Sequence, residues 1–466
     1  MRSFAFLPLI AIAAVPVAAT PPGPGPEDVV AERARQVDSA QLRASIEKLV
    51  SFGTRHTLSS QTHPTRGIGA ALNWTDSQFK SFGLPTVRPC ETFTGARIPT
   101  PTPVCNAVAI QRGTTRPNDV VIITGHIDSR VSDVMDATSD APGANDDGSG
   151  TAAVIEAARV LSKHKFPGTI VYAALSGEEQ GLYGGKVMAN YAKAQGWNVV
   201  ANLNNDIIGN SCGSDGMCNA RQVRVFSEGP RWQGREELAD DIRRFGGEND
   251  SPSRNLSRFL DRLAERVGPP VNLDVAQIWR NDRFGRGGDH TEFLNAGYPA
   301  VRFSVAVEDY DHQHQDLRTE KGTKFGDTVD EMDFAYLTAV TQLNVAALAW
   351  LANAPPTPGN PVAEGAVAND TTIRFKPVSG AQRYLVRWRA TDANQWPFQE
   401  QVMPVLPQSG ACARPDGLCE VVVKGVRVDN WVFGVSSVSE RGYESPVAAA
   451  LPGGAFQPYV EPPAKP

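Results

Sequence analysis

Four stretches of largely apolar residues limit the folds open to this chain. They are Val120-Val121-Ile122-Ile123, Thr169 to Leu175, Val199 to Ile208 (polar near its end) and Pro299 to Ser304. None alternates apolar and polar residues as a strand with one wet face does, so each must be covered on both sides. Helical spacing marks the segments around them. Val154, Ile155, Ala158 and Leu161 recur within Ser149 to Ser162, an apolar helix runs from Met332 to Trp350, and Pro26 to Phe52 carries one or two more. Buried strands alternating with helices predict an α/β fold, a mostly parallel (mixed) sheet sandwiched by helices.

A length of 466 residues exceeds one compact core. Residues 31–353 form the predicted α/β domain, with the long polar stretch Asn210 to Arg286 read as an insertion at the sheet rim and Asn255 to Val267 as a helix inside it. Pro355-Pro356-Thr357-Pro358-Gly359 lies in a linker spanning 354–360, and an earlier Pro/Gly-rich linker covers 20–30. From 361 to 452 the helical period is gone. Thr371 to Phe375, Tyr384 to Arg389, Cys419 to Val423 and Trp431 to Val438 are β-type runs between turn residues, which predicts a small all-β sandwich and a tail over 453–466.

Met1-Arg2-Ser3, the apolar run Phe4 to Val15 and the small residues Val17-Ala18-Ala19 have the order of a secretory signal peptide over 1–19. That run is too short to span a bilayer, so no membrane span is expected and the chain is expected to be exported, periplasmic or extracellular. The six cysteines fall into local pairs, Cys90 with Cys105, Cys212 with Cys218, and Cys412 with Cys419, none spaced as a Cys-x-x-Cys metal site. In an exported chain such pairs read as three disulfide loops. Net charge is −6 and no basic stripe appears, which argues against a nucleic-acid partner.

Chemistry gathers after the strands. Gly125-His126-Ile127-Asp128 follows the first, Ser176-Gly177-Glu178-Glu179 the second, and Asn204-Asn205-Asp206 ends the third. Pro142-Gly-Ala-Asn-Asp146-Asp147-Gly-Ser-Gly150 opens the helix after the first strand. Singly these are weak: a His after a strand is usually structural, Asp-Asp-Gly is a common turn, and Glu-Glu usually faces water. Together they bring several carboxylates and an imidazole to the carboxyl edge of the sheet, where ligands bind in open α/β folds. So many acidic groups would be costly to desolvate without a cation. Mixed His and carboxylate donors suit zinc, and this many suit two ions.

The order of His126-x-Asp128, Asn145-Asp146-Asp147-Gly-Ser-Gly150, Ser176-Gly-Glu178-Glu179, Asn205-Asp206 and a late His resembles the co-catalytic zinc aminopeptidases of the M28 family, over about residues 30–353. The resemblance implies a zinc-exopeptidase-like fold and two Zn²⁺ ions. One ion would take His126 and Asp206, the other Glu179 and His312, and Asp146 would bridge them. Glu178 would be the general base, Asp128 would orient His126, and Asp316 would do so for His312. His312 is preferred to His314 because the family's ligand His is followed four residues later by Asp. A cis peptide is implied at Asp146-Asp147. Gly288-Asp289-His290 also matches, as a non-ligating pair. Some members place a Tyr near the last ligand to stabilise the oxyanion. Here Tyr310 is the candidate, with Arg283 and Arg286 nearby in sequence.

The expected activity is that of an exported metallo-aminopeptidase acting on peptide or protein N-termini. Carboxypeptidase, dipeptidase or glutaminyl-cyclising action on the same scaffold is the alternative, and a non-catalytic binding protein a third reading. Tyr384-Leu-Val-Arg-Trp388, Val432 to Val438 and Gly442-Tyr-Glu-Ser445 resemble a fibronectin type III domain, which implies surface, carbohydrate or partner contact there.

Overall fold

The structure is a computed structural model that describes residues 24–231, 236–269, 271–402, 412 and 414–451. The expected signal peptide and the 453–466 tail lie outside those residues. Helices α1 (Pro26–Ala34), α2 (Ser39–Val50) and α3 (Ile68–Ser81) lead into β1 (Thr86–Val87), the hairpin β2 (Cys90–Gly95) and β3 (Ile98–Cys105), and β4 (Ala107–Gln111). Then come β5 (Arg116–His126), α4 (Gly148–Leu161), β6 (Gly168–Leu175), α5 (Tyr183–Ala194) and β7 (Asn198–Asn205). They are followed by β8 (Gln222–Ser227), α6 (Glu236–Phe245), α7 (Pro252–Val267), β9 (Asp274–Ile278), α8 (His290–Asn295) and β10 (Ala300–Val305). A small hairpin, β11 (Arg318–Glu320) and β12 (Thr323–Phe325), precedes the long helix α9 (Phe334–Asn353).

The eight-stranded sheet has the order β1-β4-β6-β5-β7-β10-β8-β9. The centre is parallel, β6 with β5, β5 with β7 and β7 with β10, whereas β1, β4 and β8 run antiparallel to a neighbour. Register places the carboxyl ends of the central strands together: His126 opposes Leu175, and Thr124 opposes Asn204. Successive residues face opposite layers. Val121 and Ile123 join the core that includes α2, α3, α4, α7 and α9, while Val120 and Ile122 join the layer of α5 and α8. The predicted mixed sheet covered on both faces is thus the observed one.

Two boundaries need correcting. The 210–286 stretch is no mere rim insertion, because it contributes β8 and β9 to the sheet and α7 to the layer above them. Pro26, inside the stretch read as linker, is the first residue of α1, where its missing N–H costs nothing. α9 is long and apolar enough to cross a membrane, but it is a core helix with 78% of its apolar window buried.

The C-terminal region forms two antiparallel sheets. β13 (Gly359–Glu364), β14 (Thr371–Lys376) and β17 (Cys419–Val423) make one, and β16 (Phe398–Val402), β15 (Arg383–Ala390), β18 (Trp431–Val438) and β19 (Ala448–Ala450) the other. Ile373 and Phe375 from one sheet and Tyr384, Val386, Phe433 and Val435 from the other share a core. This unit docks on α7 and α9. Arg389 grips Asp250 with two hydrogen bonds of 2.7 and 2.9 Å, Trp396 donates to Asn255, and Trp350 donates to the Glu444 carbonyl at 2.8 Å. All three cysteine pairs are disulfides, and Cys90–Cys105 staples β2 to β3.

Candidate metal centre

The site sits where β5, β6 and β7 end. Two glycines let the Asp-Asp-Gly-Ser-Gly segment pack there: a Cβ on Gly125 would lie 2.4 Å from the Gly150 carbonyl carbon, and one on Gly150 would lie 2.2 Å from the Asn205 carbonyl oxygen. Asp147 caps α4 by accepting from the Gly150 N–H at 2.8 Å, and also accepts from the backbone of His126 and Ile207 at 2.9 and 3.2 Å. One carboxylate therefore ties the ends of β5 and β7 to the start of α4. The Asp146-Asp147 peptide is cis, as the resemblance implied. Buried Arg55 donates to the carbonyls of Ile127, Pro142 and Gly143 at 2.7, 2.6 and 2.8 Å, joining the loop after β5 to the loop that carries Asp146. Asp327 accepts from the backbone N–H groups of Asn145 and Asp146 at 2.8 and 2.7 Å.

Around this frame two donor groups form with Asp146 common to both. His126, Asp146 and Asp206 have donor atoms within 4.8 Å of one another, and so do Asp146, Glu179 and His314. Asp146 Oδ1 is 3.0 Å from His126 Nε2, and its Oδ2 is 2.8 Å from His314 Nε2. His314 Nε2 also lies 2.9 Å from Glu179 Oε1. The expectation for the late histidine is corrected here: His312 stands outside both groups, with Nδ1 2.6 Å from Asp309 Oδ2 and Nε2 3.5 Å from Glu331. Asp316 hydrogen-bonds Ser132, not His312. His126, Asp146, Glu179 and Asp206 are brought together as expected.

Glu178 lines the same cleft, with a carboxylate oxygen within 4.8 Å of donor atoms of His126 and Glu179. Asp128 meets His126 chiefly through its backbone carbonyl, 3.1 Å from Nδ1, the carboxylate being at 3.6 Å. That carboxylate accepts from the backbone of Glu178 and Glu179 and from Thr57, so Asp128 also sets the Glu-Glu turn. Tyr310 is 60% exposed and is not among the residues lining the cleft. His290 is buried between Asn281 and Asp282 and belongs to neither donor group.

Sequence reasoning missed two arginines. Arg302, in the middle of β10, is fully buried and bridges Asp206 Oδ1 at 2.7 Å to Asp282 at 2.8 Å. Arg130 holds Glu179 Oε2 at 2.8 Å, with its Nη2 2.6 Å from His314 Nδ1. Arg302 was legible only as a charge interrupting an apolar strand.

The electrostatics report an excess of negative charge. Burial alone would lower the His314 pKa, yet Glu179 and Asp146 push it up to about 10. His126 is raised against its burial by Glu178, Asp128, Asp146 and Asp206. Burial, with Glu179 and Asp206 nearby, pushes Glu178 well above the ordinary carboxylate range. Imidazoles forced toward protonation among converging carboxylates mark a place that calls for cations. Nitrogen and oxygen donors in two groups sharing one carboxylate fit zinc.

Comparison with known proteins agrees. The description "Peptidase family M28" matches residues 106–333. A probable zinc metalloprotease of Leptosphaeria maculans is 41% identical over 440 residues, covering 92% of this chain and 98% of its own length. A probable zinc metalloprotease of Pyricularia oryzae is 41% identical over 434 residues, covering 90% and 83%. Among solved structures, the LapA aminopeptidase of Legionella pneumophila has a similar fold, with a TM-score of 0.50 at 19% identity over 69% of this chain and 74% of that one. Donor set, fold and relatives coincide, and the chain belongs to peptidase family M28.

Proposed function

We propose that the chain is a two-zinc metallo-aminopeptidase that releases residues from the N-termini of peptides. The observation that carries this reading is Asp146, whose two oxygens face His126 on one side and His314 on the other. His126 and Asp206 would hold one ion, Glu179 and His314 the other, with Asp146 between. When bound, zinc supplies Lewis acidity toward the attacking water and the scissile carbonyl.

The protein's own groups do the rest. Glu178 is adjacent to a ligand, outside the proposed ligand set and on the cleft wall, where it would take a proton from the water and return it to the leaving amine. Asp128 fixes the Glu178–Glu179 backbone and meets His126 Nδ1 through its carbonyl. Arg130 holds Oε2 of Glu179 and leaves Oε1 facing His314, and Arg302 holds Asp206 through Oδ1, the oxygen 3.8 Å from His126 Nε2. The acidic groups around the centre would also receive a free α-amino group.

Export is part of the proposal, supported by the signal-like segment at 1–19 and by three disulfides, which persist in oxidising compartments. The test is hydrolysis of aminoacyl-p-nitroanilides and of N-blocked peptides, with and without chelator, beside elemental analysis of the purified protein. Two zinc ions per chain and chelator-sensitive cleavage of free N-termini alone are expected. Cleavage of blocked peptides, or indifference to chelation, rules the reading out.

A further inference from the structure

The cleft beside the metal centre has a second chemistry along its wall. Arg97, Arg130, Arg283 and Arg286 line it together with the donor residues. Arg130 is committed to Glu179 and His314. The others are under-compensated. Arg97, in the β2–β3 turn, donates to the Glu179 backbone carbonyl and has no carboxylate within ion-pair distance among the described residues. Arg283 and Arg286 belong to the segment between β9 and α8. There Asp206, Asp282 and Glu308 face four guanidiniums: Arg302 pairs with Asp206 at 2.7 Å and Asp282 at 2.8 Å, Arg283 with Asp282 at 3.1 Å, and Arg224, Arg286 and Arg283 share Glu308 at 2.7, 2.6 and 3.6 Å. Three carboxylates against four guanidiniums leave a surplus of one positive charge on this wall, beside that of Arg97.

Arg286 is 31% exposed and pairs with Glu308 at 2.6 Å, whereas Arg283 is 9% exposed and lies 3.1 Å from Asp282, with Nη1 3.6 Å from Glu308 and making no hydrogen bond. Guanidiniums are the preferred partners of planar carboxylates. Cationic donors beside acidic metal-binding groups are also what a substrate needs if it presents an amine to one and a carboxylate to the other.

We propose that Arg283 and Arg286, with Arg97, form a carboxylate-binding subsite, and that the preferred substrates carry a carboxylate close to the scissile bond. The inference rests on the peptidase reading for its reaction but on the arginines alone for binding. The carboxylate has two sources, an acidic side chain on the N-terminal residue or the free terminus of a short peptide, and three substrates separate them. Glu-Ala-amide against Gln-Ala-amide tests the side chain, and Gln-Ala against Gln-Ala-amide tests the terminus.

In at least one pair the carboxylate member is expected to have kcat/KM higher by about tenfold or more. Arg286→Gln, at a partly exposed position, should shrink that ratio to within about threefold, as the loss of one charge-assisted contact predicts. Arg283→Gln should do the same if it folds. Calorimetric binding of N-acetylglutamate and N-acetylglutamine to the zinc-loaded protein gives a readout that needs no turnover, with the carboxylate ligand favoured in the wild type and the preference lost in Arg286→Gln. Equal handling of carboxylates and amides in both experiments, or a preference that Arg286→Gln leaves intact, overturns the proposal. Cleavage of Gln-Ala-amide that chelator abolishes would still support the peptidase reading, so the two ideas fail separately.

Discussion

His312 and His314 are two residues apart and meet different partners, because the backbone between them turns: His314 has φ 58°, in the left-handed region. A spacing rule that counts four residues to the next Asp assumes a particular turn, and the sequence does not reveal this one. His126, Glu179 and Asp206 were legible because each stands at or just past the end of a buried strand, whose direction fixes where its last residues emerge, and Asp146 because its Asp-Asp-Gly-Ser-Gly motif opens α4. The distinction can be measured. His314→Ala should lose about one zinc per chain and lower kcat by at least about 100-fold, whereas His312→Ala should keep both ions; elemental analysis and kinetics decide. The proposed base predicts that Glu178→Gln retains the metal while kcat falls by about 10²–10⁴-fold. Tyr310, on the surface, should be dispensable for the oxyanion, and Tyr310→Phe should leave kcat within about twofold.

The helices and strands that position the site follow from sequence where burial is complete and disappear where it is partial. β6, with all eight residues buried, reads as an unbroken apolar run. β8 and β9 hide in a polar stretch because they form the sheet edge, where Arg224 turns back to the Val305 carbonyl and β9 buries only Val275. The hairpin of β2 and β3 is masked by three prolines in Ile98–Cys105 and by its mostly exposed residues. Arg55 is the cross-element link that no motif announced. Replacing it by Met should leave the buried carbonyls of Ile127 and Pro142 without donors, Gly143 keeping the Gly148 N–H, which costs at least about 2 kcal/mol in urea unfolding and weakens zinc binding through the displaced Asp146 loop. Unchanged stability would mean that the loops hold themselves in place.

The whole molecule is joined by buried polar contacts between the C-terminal β unit and α7. Glu444 is central: it accepts from Arg387 at 2.6 and 2.8 Å and from Ser436, and lies 3.5 Å from Arg262 of α7. Burial raises its pKa, but Arg262 and Arg387 hold it below the ordinary value of 4.5. A carboxylate held low stabilises the fold above its unfolded pKa and loses that contribution as pH falls through the folded value. Glu444→Gln should therefore cost about 3 kcal/mol at neutral pH. The penalty should shrink below about pH 4.5 as the wild-type carboxylate protonates. Urea titrations of both proteins across that range provide the check; a penalty constant with pH would identify another group. The sequence showed that a β unit follows the Pro-rich join, but not that it docks, because an Arg on β15 and a Trp and a Glu in the loops between strands look like surface residues until their partners on and beside α7 and α9 are known.

The join itself is largely hidden, since Ala354, Pro355 and Pro358 are buried. α7 also packs on β8, β9 and β10 of the large sheet, so the two halves share a single foundation. A relative aligned over 92% of this chain and 98% of its own length must span the same join. Neither half can then be exchanged, trimmed or expressed alone without a substitute surface for α7. For an engineer, the smallest part to move is then the two units together.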